Sequence, residues 1–321
     1  MFEFDGLLLL PRLRVQNVNA ISGPLSWGFP SPTAFLGFAH ALERKLKNDW
    51  GVVFSGVGVI CHRFDPQTSK PAGRHHQVFS LSRNPLRAGY KKFEDKDAAL
   101  VEEGRAHMEV SLLLQVSGKP PRSKRDEFLE CLMDTVHGMR LAGGSLIPSL
   151  GESHQPAWSP WGFDEDDNLR QFRKLRSFLM PGFALVHRPD LLAERLADLR
   201  DADPNATMLD ALLNLCALHA EPETDDEGKV HWRYRRAPGW LVPVPVGYGA
   251  LTDAYTPGEV ANARDSETPF RFVESLYSLG QWLSPHRFSN PNDLMWRYQT
   301  DAGKGLYLCA NDYATTLTDK E

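Results

Sequence analysis

The sequence predicts an α+β fold, and three features of its first 150 residues support this prediction. Short runs rich in leucine, valine and isoleucine are typical of buried strands. Two longer stretches repeat apolar residues every three or four positions, which is the spacing of a helix with one buried face. These segments follow the order strand, helix, strand twice, and a polar segment separates the two groups.

The first group occupies residues 7–64. Four consecutive leucines open a predicted strand over residues 7–15, because continuous apolar runs are typical of strands buried on both faces. The stretch SPTAFLGFAHALERKLK, residues 31–47, predicts a helix that Ser31 or Thr33 can cap. The stretch GVVFSGVGVICHRF, residues 51–64, predicts a strand because β-branched residues dominate it and its glycines permit a bulge.

An irregular polar insertion, residues 65–100, precedes the second group. Residues 103–116 predict a strand, residues 123–140 a helix and residues 141–150 a short strand. Two such groups in one antiparallel sheet form the ferredoxin-like arrangement, which is also the plan of the RNA recognition motif (RRM). We therefore predict a ferredoxin-like, RRM-like core over residues 1–150, whose open sheet face can receive a ligand.

Residues 151–321 are expected to form a second α+β lobe packed on this core, although their patterns are weaker. A helix is predicted at residues 169–179, before Pro181, and two short helices within residues 190–219. The prolines of PGWLVPVPVGYGAL, residues 238–251, predict an edge strand. The spacing in TPFRFVESLYSLGQWL, residues 268–283, predicts the last helix.

Composition limits the class of protein. Hydrophobic residues make up 42% and charged residues 24%, as in a soluble globular protein, and no apolar run reaches the roughly 18 residues that span a membrane. The N-terminus carries acids where a secretory signal carries bases, so we expect a cytoplasmic protein. The net charge of −5 argues against non-specific coating of nucleic acid but allows a local basic groove.

Motifs of common enzymes are absent from the sequence: there is no phosphate-binding P-loop, dinucleotide fingerprint, H-E-x-x-H or G-x-S-x-G. The four cysteines lie far apart, so we predict neither a zinc site nor a disulfide framework. The pair His75 and His76 could serve a nuclease, but neighbouring side chains point in different directions, and a solvated basic loop is favoured. We predict no catalytic residue, no metal and no cofactor.

Two basic features could contact phosphates. Residues 62–92 hold seven lysines or arginines against one acid, which suits either an arm laid along a nucleic acid or a solvated loop. In the turn MRLAGGSLIP, Gly143 and Gly144 would let backbone amides approach a phosphate while Arg140 supplies charge. A plain helix-to-strand turn is the alternative.

Eight stretches spread over residues 7–306 resemble the family of the second protein of the Csy operon. They are LLLLPRLRVQNVNAISGPLSWGFPSPTAFLGFAHAL, GVICHRF, VFSLSRNPL, VEEGRAHMEVSLLL, MRLAGGSLIP, LMPGFALV, GWLVPVPVGY and NARDSETPFRFVESLYSLGQWLSPHR. The resemblance implies a ferredoxin-like core of the repeat-associated RNA-binding superfamily. It also implies a non-catalytic subunit of the prokaryotic type I-F CRISPR surveillance complex, which acts in antiviral defence.

The same resemblance implies the partners. Members of this family hold the 5′ handle of the guide RNA, pair with the large subunit and contact the first backbone subunit. Target DNA is then met through the assembled complex, where base pairing to the guide reads its sequence. No membrane partner is expected.

We expect RNA contacts from the loop that leaves the first strand, whose amides and hydroxyl can hydrogen-bond splayed bases or riboses. The candidate RNA-binding residues are Gln16, Asn17, Asn19, Ser22, Arg63, Arg83, Arg105, Arg140, Gly143, Gly144, Arg264, His286 and Arg287. Trp27 and Phe29 could stack on bases, but packing is favoured for both. Two alternatives stay open: an endoribonuclease of the same superfamily with His75 or His286 as base, and an adaptor that binds protein only.

Overall fold

The computed structural model describes residues 4–73, 77–85, 100–148, 154–162, 164–263 and 265–318. They form two compact units, unit 1 (Met1–Gln171) and unit 2 (Phe172–Glu321). The boundary follows Gln171, whereas the sequence analysis put it after residue 150. Both units combine helices with antiparallel sheet, so the predicted α+β class is confirmed.

The elements of unit 1 come first along the chain. They are β1 (Gly6–Asn19), β2 (Ile21–Gly23), β3 (Ser26–Trp27), α1 (Pro32–Trp50), β4 (Val53–Pro66), β5 (Thr68–Ser69), β6 (Val78–Phe79), β7 (Ser82–Pro85), β8 (Leu100–Glu103), β9 (Arg105–Ser117), α2 (Arg125–His137), β10 (Arg140–Leu141), β11 (Gly144–Ile147) and β12 (Ala157–Pro160).

The remaining elements follow, with the unit boundary inside the first of them. They are α3 (Glu165–Phe178), β13 (Phe183–His187), α4 (Pro189–Ala202), α5 (Met208–Cys216), β14 (His219–Thr224), β15 (Val230–Arg235), β16 (Leu241–Ala250), β17 (Val273–Leu283), β18 (Met295–Asp301), β19 (Leu306–Asn311) and α6 (Tyr313–Thr318).

The sheet of unit 1 runs in the order β10-β11-β1-β9-β4, with antiparallel neighbours, and β12 also pairs with β1. Helix α1 joins β1 to β4, and α2 joins β9 to β11. The two helices meet where the rings of Trp50 and Phe128 lie 5.3 Å apart. The leucines of residues 7–10 are almost fully buried, which explains why a continuous apolar run marks this strand.

Helix α1 is limited by the residues that the sequence indicates. The hydroxyl of Ser31 accepts a hydrogen bond of 3.2 Å from the Thr33 amide, and Pro32 occupies the first turn. The helix ends at Gly51, whose φ of 63° allows its amide to bond the carbonyl of Lys47.

Strand β1 has two bulges. Its register against β9 shifts between Leu10 and Leu13 and again between Val15 and Val18. Each shift contains a residue with positive φ, Arg12 at 50° and Asn17 at 56°. A bulge leaves a residue out of the regular pairing and redirects its side chain. The second bulge positions the candidate site.

Part of the predicted irregular insertion, residues 65–100, is regular. Short strands pair there as β5–β6 and β7–β8. The pairs are two to four residues long, which is too short for the sequence pattern to show an alternation. His75 and His76 lie outside the described residues.

The sheet of unit 2 runs in the order β13-β17-β16-β19-β18. Helices α4 and α5 pack on it through a core of Leu192, Ala211, Leu212 and Leu279. The acidic stretch at residues 221–229 contributes to a hairpin, in which β14 pairs with β15. Among the described residues, no helix is long and apolar enough to cross a bilayer.

Two sequence predictions in unit 2 were wrong. Residues 268–283 do not form a helix, because most of this stretch is β17, which pairs with both β13 and β16 and is buried toward its end. The prolines of β16 do not make the whole strand an edge. Its pairing with β19 is confined to Gly247–Gly249, so Pro243 and Pro245 lie where only β17 is paired.

Candidate nucleic-acid interface

A cavity of about 370 Å³ lies where β1, β9 and the β10–β11 turn meet in unit 1. We call it the arginine–amide cavity. Its lining residues are Gln16, Asn17, Gln67, Arg105, Arg140, Gly143 and Ser145. Five of these seven residues were RNA-binding candidates from the sequence, and the fold brings them together from three separate segments.

The bulge at Asn17 shapes one wall of this cavity. The Asn17 amide donates to Nδ1 of His107 at 3.3 Å, and its carbonyl accepts from Arg105 Nη1 at 3.3 Å. Its side-chain Oδ1 accepts a hydrogen bond of 2.9 Å from Gln67 Nε2. These contacts hold a left-handed backbone that asparagine tolerates better than most residues. Within the described chain, Nδ2 of Asn17 has no partner, so this donor is available to a ligand.

The two glycines of the predicted phosphate turn have different roles. Leu141 pairs with Gly144, which leaves a two-residue turn of Ala142 and Gly143, both with positive φ (49° and 77°). Gly143 is exposed at the cavity, whereas Gly144 is buried in β11. A Cβ on Gly144 would stand 2.6 Å from the carbonyl oxygen of Gln16, so glycine permits the close approach of β11 to β1.

The charge of this cavity is positive. Arg140 is exposed, donates to the carbonyl of Gly143 at 3.3 Å and has no ion-pair partner among the described residues. Arg105 is partly neutralised by Glu103, at 2.6 Å. No acid occurs among the described residues that line the cavity. An exposed, unpaired guanidinium beside free amide donors attracts an anion.

A second cavity, of about 220 Å³, adjoins the first and shares Gln16 with it. We call it the mixed-charge cavity. Its lining residues are Arg14, Val15, Gln16, Arg63, Asp65, His107, Met108 and Glu109. Arg63, a candidate from the sequence, is ion-paired there with Asp65 at 2.6 Å. The cavity therefore contains cations together with carboxylates.

Two candidates, one at the end of β1 and one in β2, use their polar groups locally. The side chain of Asn19 bonds both the amide and the carbonyl of Ile21, at 3.0 and 3.1 Å. The hydroxyl of Ser22 lies 3.0 Å from that of Ser26 across the β2–β3 hairpin. Both side chains therefore use these polar groups to hold the chain at the end of β1 in one path.

The remaining candidates lie elsewhere. Arg83 is on β7, paired in register with Glu102. Arg264 lies outside the described residues. His286 and Arg287 are exposed on a short 3₁₀ helix of unit 2, Pro285–Arg287, where Nδ1 of His286 lies 2.8 Å from the hydroxyl of Ser284.

The aromatic residues of the loop pack against protein. Phe29 stacks on Phe35 of α1 at 5.5 Å and contacts Phe64 at 5.7 Å. Trp27 is 43% exposed and lies 5.2 Å from Phe79. Packing was the favoured interpretation for both residues.

Sequence reasoning missed Gln67 and Ser145. Ser145 directly follows the two glycines of the MRLAGGSLIP turn, but its polar side chain was not considered. No motif marks Gln67, which reaches the cavity through its hydrogen bond to Asn17, a residue distant in sequence. The described residues contain no cluster of three or more histidine, cysteine, aspartate or glutamate side chains that could hold a metal ion.

Comparison with known proteins identifies the family. A family model described as CRISPR-associated protein (Cas_Csy2) matches residues 8–309. The chain is 48% identical over 314 residues to the CRISPR-associated protein Csy2 of Pseudomonas aeruginosa strain UCBPP-PA14, and the alignment covers 94% of each chain. Both findings confirm the resemblance found in the sequence. The chain therefore belongs to the Cas_Csy2 family of CRISPR-associated proteins.

Proposed function

We propose that this chain is a non-catalytic subunit of a type I-F CRISPR surveillance complex and binds the 5′ handle of the guide RNA. In this role it pairs with the large subunit, contacts the first backbone subunit and meets target DNA only through the assembled complex. It works in the prokaryotic cytoplasm in antiviral defence. Family membership supports the CRISPR role, and the arginine–amide cavity supports the RNA role.

The proposed fold of unit 1 is ferredoxin-like. The strand order β11-β1-β9-β4 supports this, because α1 then joins β1 to β4 across the intervening β9, and α2 joins β9 to β11 across β1. This is the split β-α-β arrangement of ferredoxin-like and RRM folds. The short strands β2–β3 and β5–β8 are insertions into this plan.

The RNA role is supported by the guanidinium of Arg140, which has no ion-pair partner among the described residues and lies beside the exposed Gly143 turn and the Asn17 bulge. Arg140 supplies a cation, and Asn17 supplies an amide donor that the described residues leave unused. Phosphate oxygens accept from arginine and amide groups, and such contacts fix the path of a nucleic acid. This concentration of donors contrasts with the net charge of −5 for the whole chain.

The test measures binding of handle RNA by the chain co-expressed with the large subunit, from about 50 to 200 mM salt. Arg140→Gln should weaken binding about tenfold at low salt, the loss of one charged hydrogen bond, and reduce the salt slope by about 0.7. The control is Arg44→Gln, an exposed arginine of α1 that lines neither cavity. Its slope should equal that of the unsubstituted chain.

The same preparation separates the alternatives. An endoribonuclease would cleave precursor RNA and lose this activity in His75→Ala or in His286→Ala. A protein-only adaptor would keep the large subunit bound but show no salt-dependent RNA binding. A salt slope unchanged in both Arg140→Gln and Arg105→Gln would contradict RNA binding at this cavity.

A further inference from the structure

Strand register places six polar side chains of the mixed-charge cavity on one face of the sheet. Arg14 of β1 and Arg63 of β4 are both paired with Glu109 of β9, between them. Two residues further along β4, Asp65 is paired with His107 of β9. Side chains two residues apart share a face, so Gln16 joins this set. The residues between them point to the other face, where Phe64 contacts Phe29.

The two carboxylates of this cavity are only partly used. Glu109 accepts from Arg12 through Oε1 at 2.8 Å, and Asp65 accepts from Arg63 through Oδ2. Oε2 of Glu109 and Oδ1 of Asp65 form no hydrogen bond in the described part of the chain. Each carboxylate is therefore fixed by an arginine and retains one free acceptor oxygen. A ligand with N–H donors can satisfy these fixed acceptors.

The two cavities thus differ in the ligand they favour. The arginine–amide cavity offers donors to an anion, whereas free carboxylate oxygens in the mixed-charge cavity repel phosphate. A nucleobase can satisfy both the carboxylates and the arginines of the mixed-charge cavity. Carboxylates accept from the exocyclic amino group of cytosine, and the arginines donate to ring or carbonyl acceptors. The volume of about 220 Å³ leaves room for a flat ring.

We propose that the mixed-charge cavity binds an unpaired nucleobase that carries an exocyclic amino group, while the adjoining arginine–amide cavity binds the phosphodiester. This inference rests on the proposed RNA-binding function and adds a base preference to it. Gln16 lines both cavities, so one nucleotide can occupy the pair. Single-stranded RNA is recognised in this way, by splayed bases whose Watson–Crick edges are hydrogen-bonded.

The test compares binding of oligocytidylate and oligouridylate of equal length to the full chain. The two probes share one backbone, but uridine has a carbonyl where cytidine has the amino group. The unsubstituted chain should bind oligocytidylate about tenfold more tightly, the discrimination given by one well-placed hydrogen-bonded pair. Asp65→Ala and Glu109→Ala should each reduce this preference while the salt slope stays unchanged.

Two controls make the result specific. Asp134→Ala on α2 removes the same charge from a residue that lines neither cavity, and it should leave the preference unchanged. Arg140→Gln should lower the salt slope for both probes and keep their ratio.

Each other outcome contradicts the inference. Equal, salt-dependent binding of both probes by the unsubstituted chain would overturn the base preference and leave the RNA-binding function standing. A preference that persists in both Asp65→Ala and Glu109→Ala would place base recognition elsewhere. Failure of the chain, also with its large subunit, to bind either probe or handle RNA would overturn the function as well.

Discussion

Gln67 donates a hydrogen bond of 2.9 Å from Nε2 to Oδ1 of Asn17, a residue fifty positions earlier in the chain. The bond fixes the orientation of the Asn17 side chain at the bulge. Because Oδ1 is used by Gln67, Nδ2 remains available as a donor in the arginine–amide cavity, with no partner among the described residues. The backbone of Gln67 is itself held, because its amide donates to the carbonyl of Arg105 at 2.9 Å. Gln67 is therefore a positioning residue in the proposed RNA site.

Removal of this support should weaken RNA binding without unfolding the chain. Gln67→Ala deletes one hydrogen bond of an exposed pair, so we expect a loss of about threefold to tenfold in affinity for handle RNA. Gln67→Glu should lose more, because a carboxylate cannot donate to Oδ1 of Asn17 and would repel phosphate. Equal affinities for both variants and the unsubstituted chain, with unchanged circular dichroism, would contradict this role.

The sequence was sufficient to find much of this site. Gln16 and Asn17 stood out because polar residues follow a run of leucines, and Arg140 and Gly143 because a glycine turn follows a helix. Gln67 could not be found in this way. Its role depends on the pairing of β4 with β9, a long-range register that no local pattern encodes.

Strand β17, which the sequence analysis assigned as a helix, shows a second limit of prediction from local sequence. Leu276, Leu279 and Leu283 recur at helical spacing, and the last six residues of the strand are all buried, so burial does not alternate there. A short apolar run then fits either element. Packing against distant parts of the chain decides whether such a stretch forms a strand or a helix, and a short window of sequence does not contain that information.

A methyl group at Gly144 should destabilise unit 1. The Cβ of Gly144→Ala would stand 2.6 Å from the Gln16 carbonyl oxygen and 2.8 Å from Cγ1 of Val18, so β1 and β11 would have to separate. We expect a loss of about 1–3 kcal/mol in the free energy of unfolding, measured by urea titration.

The matched control is Gly37→Ala on the exposed side of α1. Its Cβ would meet no atom within 4 Å, and alanine in a helix interior should raise the free energy of unfolding by about 0.5–1 kcal/mol. If Gly144→Ala lowers the free energy of unfolding while Gly37→Ala raises it, the loss is due to the close approach of β11 to β1 and not to the added methyl group itself. A neutral Gly144→Ala would show that β11 is not held against β1 as described.

The stability contribution of Asp5 should depend on pH. A hydrogen-bonded ion pair with Lys119 at 2.9 Å and the amide of Gly118 at 2.8 Å hold the pKa of Asp5 below its ordinary value of 3.8. A carboxylate whose pKa is lowered on folding stabilises the folded state fully at pH values above its pKa in the unfolded chain. This contribution is lost as the pH falls through its pKa in the folded chain.

Asp5→Asn should therefore lower the free energy of unfolding at pH 7, by at most about 1 kcal/mol because the side chain is 38% exposed. The difference from the unsubstituted chain should shrink below pH 3.8. Asp49→Asn, an exposed residue near the end of α1, should differ little at any pH. A difference for Asp5→Asn that stays constant down to acid pH would exclude the ion pair as its cause.

The thiol of Cys309 should resist alkylation in the folded chain. It is buried in β19, donates to the carbonyl of Val246 at 3.2 Å, and burial raises its pKa to about 12. At pH 8 about one thiol in ten thousand is then ionised, and only the thiolate reacts. Mass spectrometry after brief iodoacetamide treatment should find Cys309 unmodified in the native chain and alkylated in urea. Alkylation in the native chain as fast as in urea would show that β19 opens, because a closed strand gives the reagent neither access nor a thiolate.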